Sequence, residues 1–416
     1  MSSEVLEKAC LAKTASRTLG TLPTKVKNLA LEAMAETLTA NQAAIIKANK
    51  LDLENGRKKG LSQTLLDRLA LNEKCIIEIA DSLRTLIKLP DPVGEVMAKW
   101  SRPNGLKIKK VRVPFGVIAI IYEARPNVTV DAIGLCLKTG NAVLLRGGSD
   151  ARGSNQKLAE ICAAAAYKAG VPKGSIQLIT SPGRELIREI ITTKEYIDLA
   201  IPRGGAGLIG MVVENSHIPV IETGTGNCHV YVEASADLNK AEKVILNAKC
   251  QRPSVCNAAE TLLVDKQLEK TFLPRIVKKL IENGVEIRGD SATQKVDAKV
   301  KPATVSDWGT EFLALIMAVK VVAGVEEAIS HINQYGSKHT EAILTKDKAG
   351  IRRFTEAVDA AAVMVNTSTR FTDGAEFGFG CEIGISTQKL HARGPMGLAE
   401  ITTYKYLVEG NGQVRT

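Results

Sequence analysis

The residues best equipped for chemistry lie in a few short stretches. Cys256 stands in the segment Ala-Lys-Cys-Gln-Arg-Pro-Ser-Val-Cys-Asn-Ala-Ala-Glu-Thr, after a helical run and before an apolar one. Pro253 and Ser254 predict a turn there, at which a helix can begin. Unpaired N–H groups and the dipole at a helix start stabilise a thiolate, which makes such a cysteine a nucleophile. Cys10, Cys75, Cys136 and Cys162 sit on apolar helical faces and read as inert core thiols. Asn127, in Tyr-Glu-Ala-Arg-Pro-Asn-Val-Thr, follows an apolar strand at the carboxyl edge of a sheet. Its amide there can donate to a developing oxyanion, or form only a turn and an N-cap. Gly205, Gly207 and Gly210 spell GxGxxG after a strand and at the head of a helix, and Glu222 ends the next apolar run. That arrangement suits a pyrophosphate and a ribose, or equally a glycine-rich turn that lets a helix pack on a sheet. No P-loop, HExxH or GxSxG pattern accompanies it.

These residues need elements to hold them. From Val5 to about Lys88 apolar residues recur at three and four, as in Leu65, Leu69, Ile76, Ile79 and Leu83, and predict amphipathic helices. Prolines 90, 92 and 103 and the pair Asn104-Gly105 break the period and predict a hairpin. Short apolar runs then alternate with helical ones: strands are expected at 117–122, 142–145, 176–179, 197–201 and 219–221. A second set follows a boundary near 225, with strands at 261–264, 313–319, 342–344 and 361–365 and helices at 268–282, 325–334 and 349–358. Alternation of this kind implies parallel sheets covered on both faces. Residues 366–397 show no period but carry Arg370, Asp373, Glu376, His391 and Arg393, and 401–408 reads as a strand.

Composition narrows the function. At roughly 150 residues per domain, 416 residues make two or three domains. With 45% hydrophobic and 24% charged residues the chain is globular. A net charge of +10 favours anionic partners, but only 4% aromatics and scattered Lys and Arg argue against nucleic acid. No stretch is apolar and long enough for a membrane span, and the N-terminus lacks a signal h-region. Eight cysteines without a CxxC pair predict reduced thiols in a cytoplasm and no metal framework.

With these residues in view, the chain resembles the aldehyde dehydrogenase superfamily over nearly its whole length. The stretch VAGVEEAISHINQYGSKHTEAI at 322–343, with STRFTDG, FGFG, EIGIST and HARGPMG further on, is similar to the branch that reduces gamma-glutamyl 5-phosphate to glutamate 5-semialdehyde. The resemblance implies an α/β fold: a parallel-sheet cofactor domain (1–94 and 114–224), an α/β catalytic domain (225–400) and a small β oligomerisation element (95–113 and 401–416). It makes Cys256 the nucleophile, with Asn127 and the Cys256 backbone N–H as the oxyanion hole. It places Glu311 on the nicotinamide ribose, Arg146 on the adenosine ribose, and Gly147, Gly204 and Gly205 along the dinucleotide. Ser149 falls where NAD-preferring members carry a glutamate, which implies NADPH. Glu222 aligns with the family's water-activating glutamate, but in an altered context, Glu-Thr-Gly-Thr-Gly.

The substrate so implied carries a phosphate and a carboxylate, and Arg125, Arg370 and Arg393 are the candidates for its anionic ends; the alternative is that they are surface arginines. His331 and His339 fall within the signature, and packing explains both without a proton role. The resemblance further implies a homodimer or homotetramer, a stand-alone reductase, and a separate glutamate 5-kinase that supplies the unstable substrate. The rival readings are a hydrolytic NAD(P)-dependent aldehyde dehydrogenase with Glu222 as base, and a catalytically silent binding protein that keeps the fold.

Overall fold

The computed structural model describes residues 3–123 and 125–415. The chain divides into two compact units: one holds the chain through Thr223 with 378–384 and the stretch from Met396 on, the other 224–377 and 385–395.

The first unit opens with five helices, α1 (Glu4–Leu19), α2 (Thr24–Ala40), α3 (Gln42–Lys58), α4 (Gln63–Leu69) and α5 (Glu73–Lys88). Ser3 caps α1 and Asn72 caps α5 through side-chain oxygens that accept from the N–H three residues on. Their three-and-four stripes, such as Ile76, Ile79, Leu83 and Leu86, are buried. Then β1 (Val96–Ser101) and β2 (Lys107–Pro114) form an antiparallel hairpin, its turn closed by Gly105 at φ 90°. A βα succession follows: β3 (Val117–Tyr122), α6 (Asn127–Lys138), β4 (Ala142–Arg146), α7 (Arg152–Lys168), β5 (Ile176–Leu178), α8 (Glu185–Thr192), β6 (Leu199–Arg203) and α9 (Ala206–Asn215). Its four strands make a parallel sheet in the order β5-β4-β3-β6, and every residue of β3 is buried. The run at 219–221 is not a strand but a single bridge between Val220 and Ala200, because the chain turns away after Ile221.

The second unit is built on β7 (Cys228–Val232), α10 (Leu238–Cys250), β8 (Ala259–Asp265), α11 (Leu273–Glu282), β9 (Glu286–Gly289), α12 (Ser291–Gln294), β10 (Lys301–Pro302), β11 (Ile316–Val322), α13 (Val325–Tyr335), β12 (Thr340–Leu344), α14 (Lys348–Ala357) and β13 (Ala362–Val365). Seven strands form a parallel sheet in the order β10-β9-β11-β8-β7-β12-β13. Helix α11 starts five residues later than the periodicity suggests, after a 3-10 turn at Lys266–Leu268, with Pro274 in its first turn. β7 and β9 escape a hydrophobicity reading because Cys228, His229, Glu286 and Arg288 interrupt them. The β7–β8 ladder has one irregularity: Cys228 pairs with Ala259 but His229 with Thr261, so Glu260 bulges out of it. Two short strands, β14 (Ile385–Ser386) and β15 (Gly394–Pro395), pair antiparallel.

The C-terminal strand β16 (Thr402–Glu409) returns to the first unit and pairs with β2, giving a three-stranded sheet β1-β2-β16. Residues 378–384 and 396–400, expected in the catalytic domain, also pack in the first unit. There the Cys381 thiol reaches the Ser82 carbonyl (3.5 Å), and the Ile383 N–H donates to the Met396 carbonyl (2.9 Å). Irregular chain carries no periodic signal of which core it joins.

Candidate active site

Cys256 lies in a run of turns between α10 and β8, in the second unit, half-buried. No helix begins at it, contrary to the sequence expectation, because β8 starts three residues on. The loop is instead fixed from several sides. The Asn257 side-chain N–H₂ donates to the carbonyls of Thr372 (2.9 Å) and Arg370 (3.3 Å), and the Thr369 hydroxyl donates to the Asn257 carbonyl (2.7 Å). The buried Cys228 thiol donates to the Cys256 carbonyl (3.2 Å). A Cβ on Gly226 would overlap the Cys256 backbone, so only glycine permits this approach. The Gly226 N–H itself donates to Glu311 Oε1 (2.7 Å). The chain therefore gathers Cys256, Glu311 and Arg370 in one unit.

Arg370 Nε donates to Gln251 Oε1 (3.1 Å), beside the exposed Arg252. Burial and the nearby Arg252 charge hold the Arg370 guanidinium below its ordinary value, while Asp373 and Cys256 act in the opposite sense. Two cations thus sit on the thiol loop, and Arg252, which the sequence reading passed over, is one of them. Arg393 is otherwise engaged: its Nη2 meets Asp359 Oδ1 at 2.8 Å, and Lys389 shares that carboxylate at 3.2 Å.

Asn127, in the first unit, is the first residue of α6, half-buried, and makes no N-cap. Its Nδ2 donates to Asp131 Oδ2 one turn on (3.0 Å), which fixes the amide plane. Burial pushes the Asp131 carboxyl up to about 6, against the bonds from Asn127 and Ser82. Arg125, before it, is exposed. Glu222 is half-buried near the end of the first unit.

Arg146, Gly147 and Ser149 fall together, lining with Arg152, Asn155 and the 178–183 loop a small open cleft in the first unit. Arg146 Nη2 donates to the Gly183 carbonyl (3.1 Å), while its Nε and the Asn155 amide nitrogen are buried without a protein partner. Burial and the neighbouring Arg152 hold the Arg146 guanidinium down. Among the described residues no carboxylate lines this cleft, although Glu4 accepts from the N–H groups of two lining residues, Thr180 (2.9 Å) and Ser181 (2.8 Å). The guanidiniums of Arg146 and Arg152 with the Ser149 hydroxyl make this cleft one that could hold an anionic group.

The glycine motif is less accommodating. The Gly205 N–H at the head of α9 donates to Glu123 Oε2 (2.9 Å), so a carboxylate occupies the place a phosphate would take. A Cβ on Gly204 would strike that same carboxyl, whereas Gly207 and Gly210 have open space around them. His331 and His339 are buried, and burial lowers them to about 3 and about 4, so both remain neutral. Cys136 and Cys162 are buried, but Cys10 is exposed and Cys75 half-buried, since both lie on the outer side of their helices.

Two parallel-sheet units of alternating strands and helices have the architecture of an aldehyde dehydrogenase. The aldehyde dehydrogenase family model matches residues 2–298, and the chain belongs to that family. Within it, the chain is 58% identical over 413 residues to the gamma-glutamyl phosphate reductase of Heliobacterium modesticaldum, covering 99% of each. It is likewise 58% identical over 412 residues to that of Moorella thermoacetica, again covering 99% of each. The crystal structure of gamma-glutamyl phosphate reductase from Thermotoga maritima matches it with a TM-score of 0.97 at 51% identity, covering 100% of both chains. Among the described residues no helix is long and apolar enough to cross a membrane.

Proposed function

We propose that the protein reduces gamma-glutamyl 5-phosphate to glutamate 5-semialdehyde and phosphate, a step of proline biosynthesis. The observation that carries this reading is the Cys256 turn, half-buried and stapled, with Arg252 and Arg370 upon it. The names of the relatives supply the substrate.

In the proposed reaction the Cys256 thiolate attacks the acyl carbon, the Asn127 amide and the Cys256 N–H hold the oxyanion, and the C–O bond to phosphate breaks. The leaving phosphate is bonded to the attacked carbon through one oxygen, so Arg370, whose charge interacts with Cys256, receives it, with Arg252 beside Arg370. Arg125 is left for the α-carboxylate, and Arg393, paired to Asp359, shapes its loop. Bound NADPH supplies the hydride that reduces the resulting thioester. Arg146, Gly147 and Ser149 would hold its adenosine ribose and 2′-phosphate, and Glu311 its nicotinamide ribose. Gly204 and Gly205 join only where Glu123 releases the head of α9. Collapse of the thiohemiacetal restores the thiolate and frees the aldehyde. Glu222 is a pocket acid in this scheme.

The enzyme acts in the cytoplasm, where its eight free cysteines stay reduced, on substrate from a separate glutamate 5-kinase. It assembles as a dimer or tetramer through the β1-β2-β16 sheet. The test is reduction of NADP by pyrroline-5-carboxylate with and without phosphate. Activity that requires phosphate is expected. Equal activity without it would mean hydrolysis, make Glu222 the base, and overturn the assignment.

A further inference from the structure

The second unit buries an ion pair that the reaction above does not use. Lys249 Nζ lies 2.5 Å from Glu260 Oε2, and both side chains are wholly inaccessible to solvent. Lys249 is in the last turn of α10 and Glu260 is the second residue of β8, so the pair closes the base of the loop 251–258 that carries Cys256. Glu260 is also the residue that bulges from the ladder, a feature that re-aims a side chain and is rare between parallel strands. Its second oxygen, Oε1, accepts from the Leu313 N–H (3.1 Å). Leu313 has φ 53°, a left-handed conformation that a leucine seldom adopts without restraint. Two residues earlier stands Glu311, which accepts from Gly226, the glycine pressed against Cys256.

A buried ion pair is a poor source of stability, since well-packed apolar residues of the same volume commonly do as well or better. Burial pushes the Glu260 carboxyl up and the Lys249 ammonium down, so the fold works against both charges to keep them. What an apolar pair could not do is accept the Leu313 N–H.

We propose that Lys249 and Glu260 are a positioning pair: Lys249 orients the Glu260 carboxylate, which locks the Leu313 backbone and so sets Glu311 and the Cys256 loop in register with one another. The proposal rests on the functional reading for the roles of Cys256 and Glu311. It concerns geometry alone, and neither member touches substrate or cofactor.

The test uses the full-length protein and two double variants, Lys249→Met with Glu260→Gln and Lys249→Met with Glu260→Met. Both remove the charges and conserve volume; only the glutamine keeps an acceptor for Leu313. Three quantities are read: Tm, the rate at which iodoacetamide alkylates Cys256, followed by peptide mass, and the Kd for NADPH from its fluorescence. The expected result is a comparable Tm for both variants. The Gln variant, which keeps the acceptor but loses Lys249 as its orienting partner, should fall between wild type and the Met variant in both. The Met variant should change each on the order of tenfold, below the roughly 100-fold in rate that an ångström's misplacement can cost. Wild-type behaviour of the folded Met variant would overturn the pairing role. Should the Met variant not fold, the wild-type Leu313 amide decides: slow exchange with deuterium is expected, and exchange at the rate of an open loop would overturn the proposal. Wild-type protein that bound no NADPH, or whose Cys256 was not selectively alkylated, would instead overturn the functional reading and the roles built on it.

Discussion

Cys256 and Asn127 show how a single side chain depends on what holds it. Sequence placed the thiol at a helix start, where the dipole would activate it; the structure offers turns, a tight glycine contact and two guanidiniums instead. Cys256→Ser should therefore abolish turnover while leaving the NADPH Kd unchanged, measured by steady-state rate and fluorescence titration. Asn127→Ala should cost about 100-fold to 1000-fold in kcat, as loss of an oxyanion donor does; unchanged kinetics would reduce that residue to a helix terminus. Asp131, which the sequence did not single out, gives a pH signature. Its folded value, raised to about 6, exceeds the ordinary carboxylate value of 3.8, so the charged form is the disfavoured one. The stability it contributes is highest below about pH 4 and declines as pH rises toward 6. Asp131→Asn, which still accepts from Asn127, should raise Tm more at pH 7 than at pH 4. An equal shift at both would show that this carboxyl is not destabilised by burial.

Elements were legible where burial wrote a period into the sequence. The buried strands β3 and β4, the helices α13 and α14 and the β1–β2 hairpin stand where apolar runs and the Asn104-Gly105 turn put them. β7 and the Glu260 bulge were not legible, because polar residues there are paid for by distant partners: His229 by Glu341 at 2.9 Å, Glu260 by Lys249. Arg146, Gly147 and Ser149 do line one cleft, but Arg252 and Asn257, in the same turn as Cys256, gave no signal, since a turn residue's partners lie far along the chain. Glycine shows the same contrast. Gly226→Ala should destabilise by roughly 1–3 kcal/mol through overpacking against the Cys256 backbone. Gly207→Ala, in open space within α9, should stabilise by roughly 0.5–1 kcal/mol. Thermal melts of the two variants check both signs, and a harmless Gly226→Ala would mean the thiol loop can give way.

At the scale of the whole molecule the informative surface is the β1-β2-β16 sheet. Val96, Met97, Trp100, Tyr404, Tyr406 and Val408 are all exposed on it, although Trp100 and Tyr406 meet edge to face at 6.1 Å and Lys110 lies 3.6 Å over the Tyr404 ring. A run of exposed aromatic and branched residues on strands with unpaired edges is an aggregation hazard in a monomer, unless another chain covers it. Backbone ladders hold the three strands together, with Lys109–Glu409 and Arg112–Glu95 ion pairs beside them, so a partner meets an ordered face. Replacing Trp100 and Tyr406 together by Lys places two like charges where apolar rings would be covered, which an interface core tolerates poorly. The double variant should elute as a monomer in size-exclusion chromatography with light scattering, at a concentration where the native chain is dimeric or tetrameric. Its Cys256 should remain open to alkylation, because that loop belongs to the other unit. A native chain that is itself monomeric, or a variant of unchanged mass, would mean that this sheet is not where copies meet and that its exposed rings require another explanation.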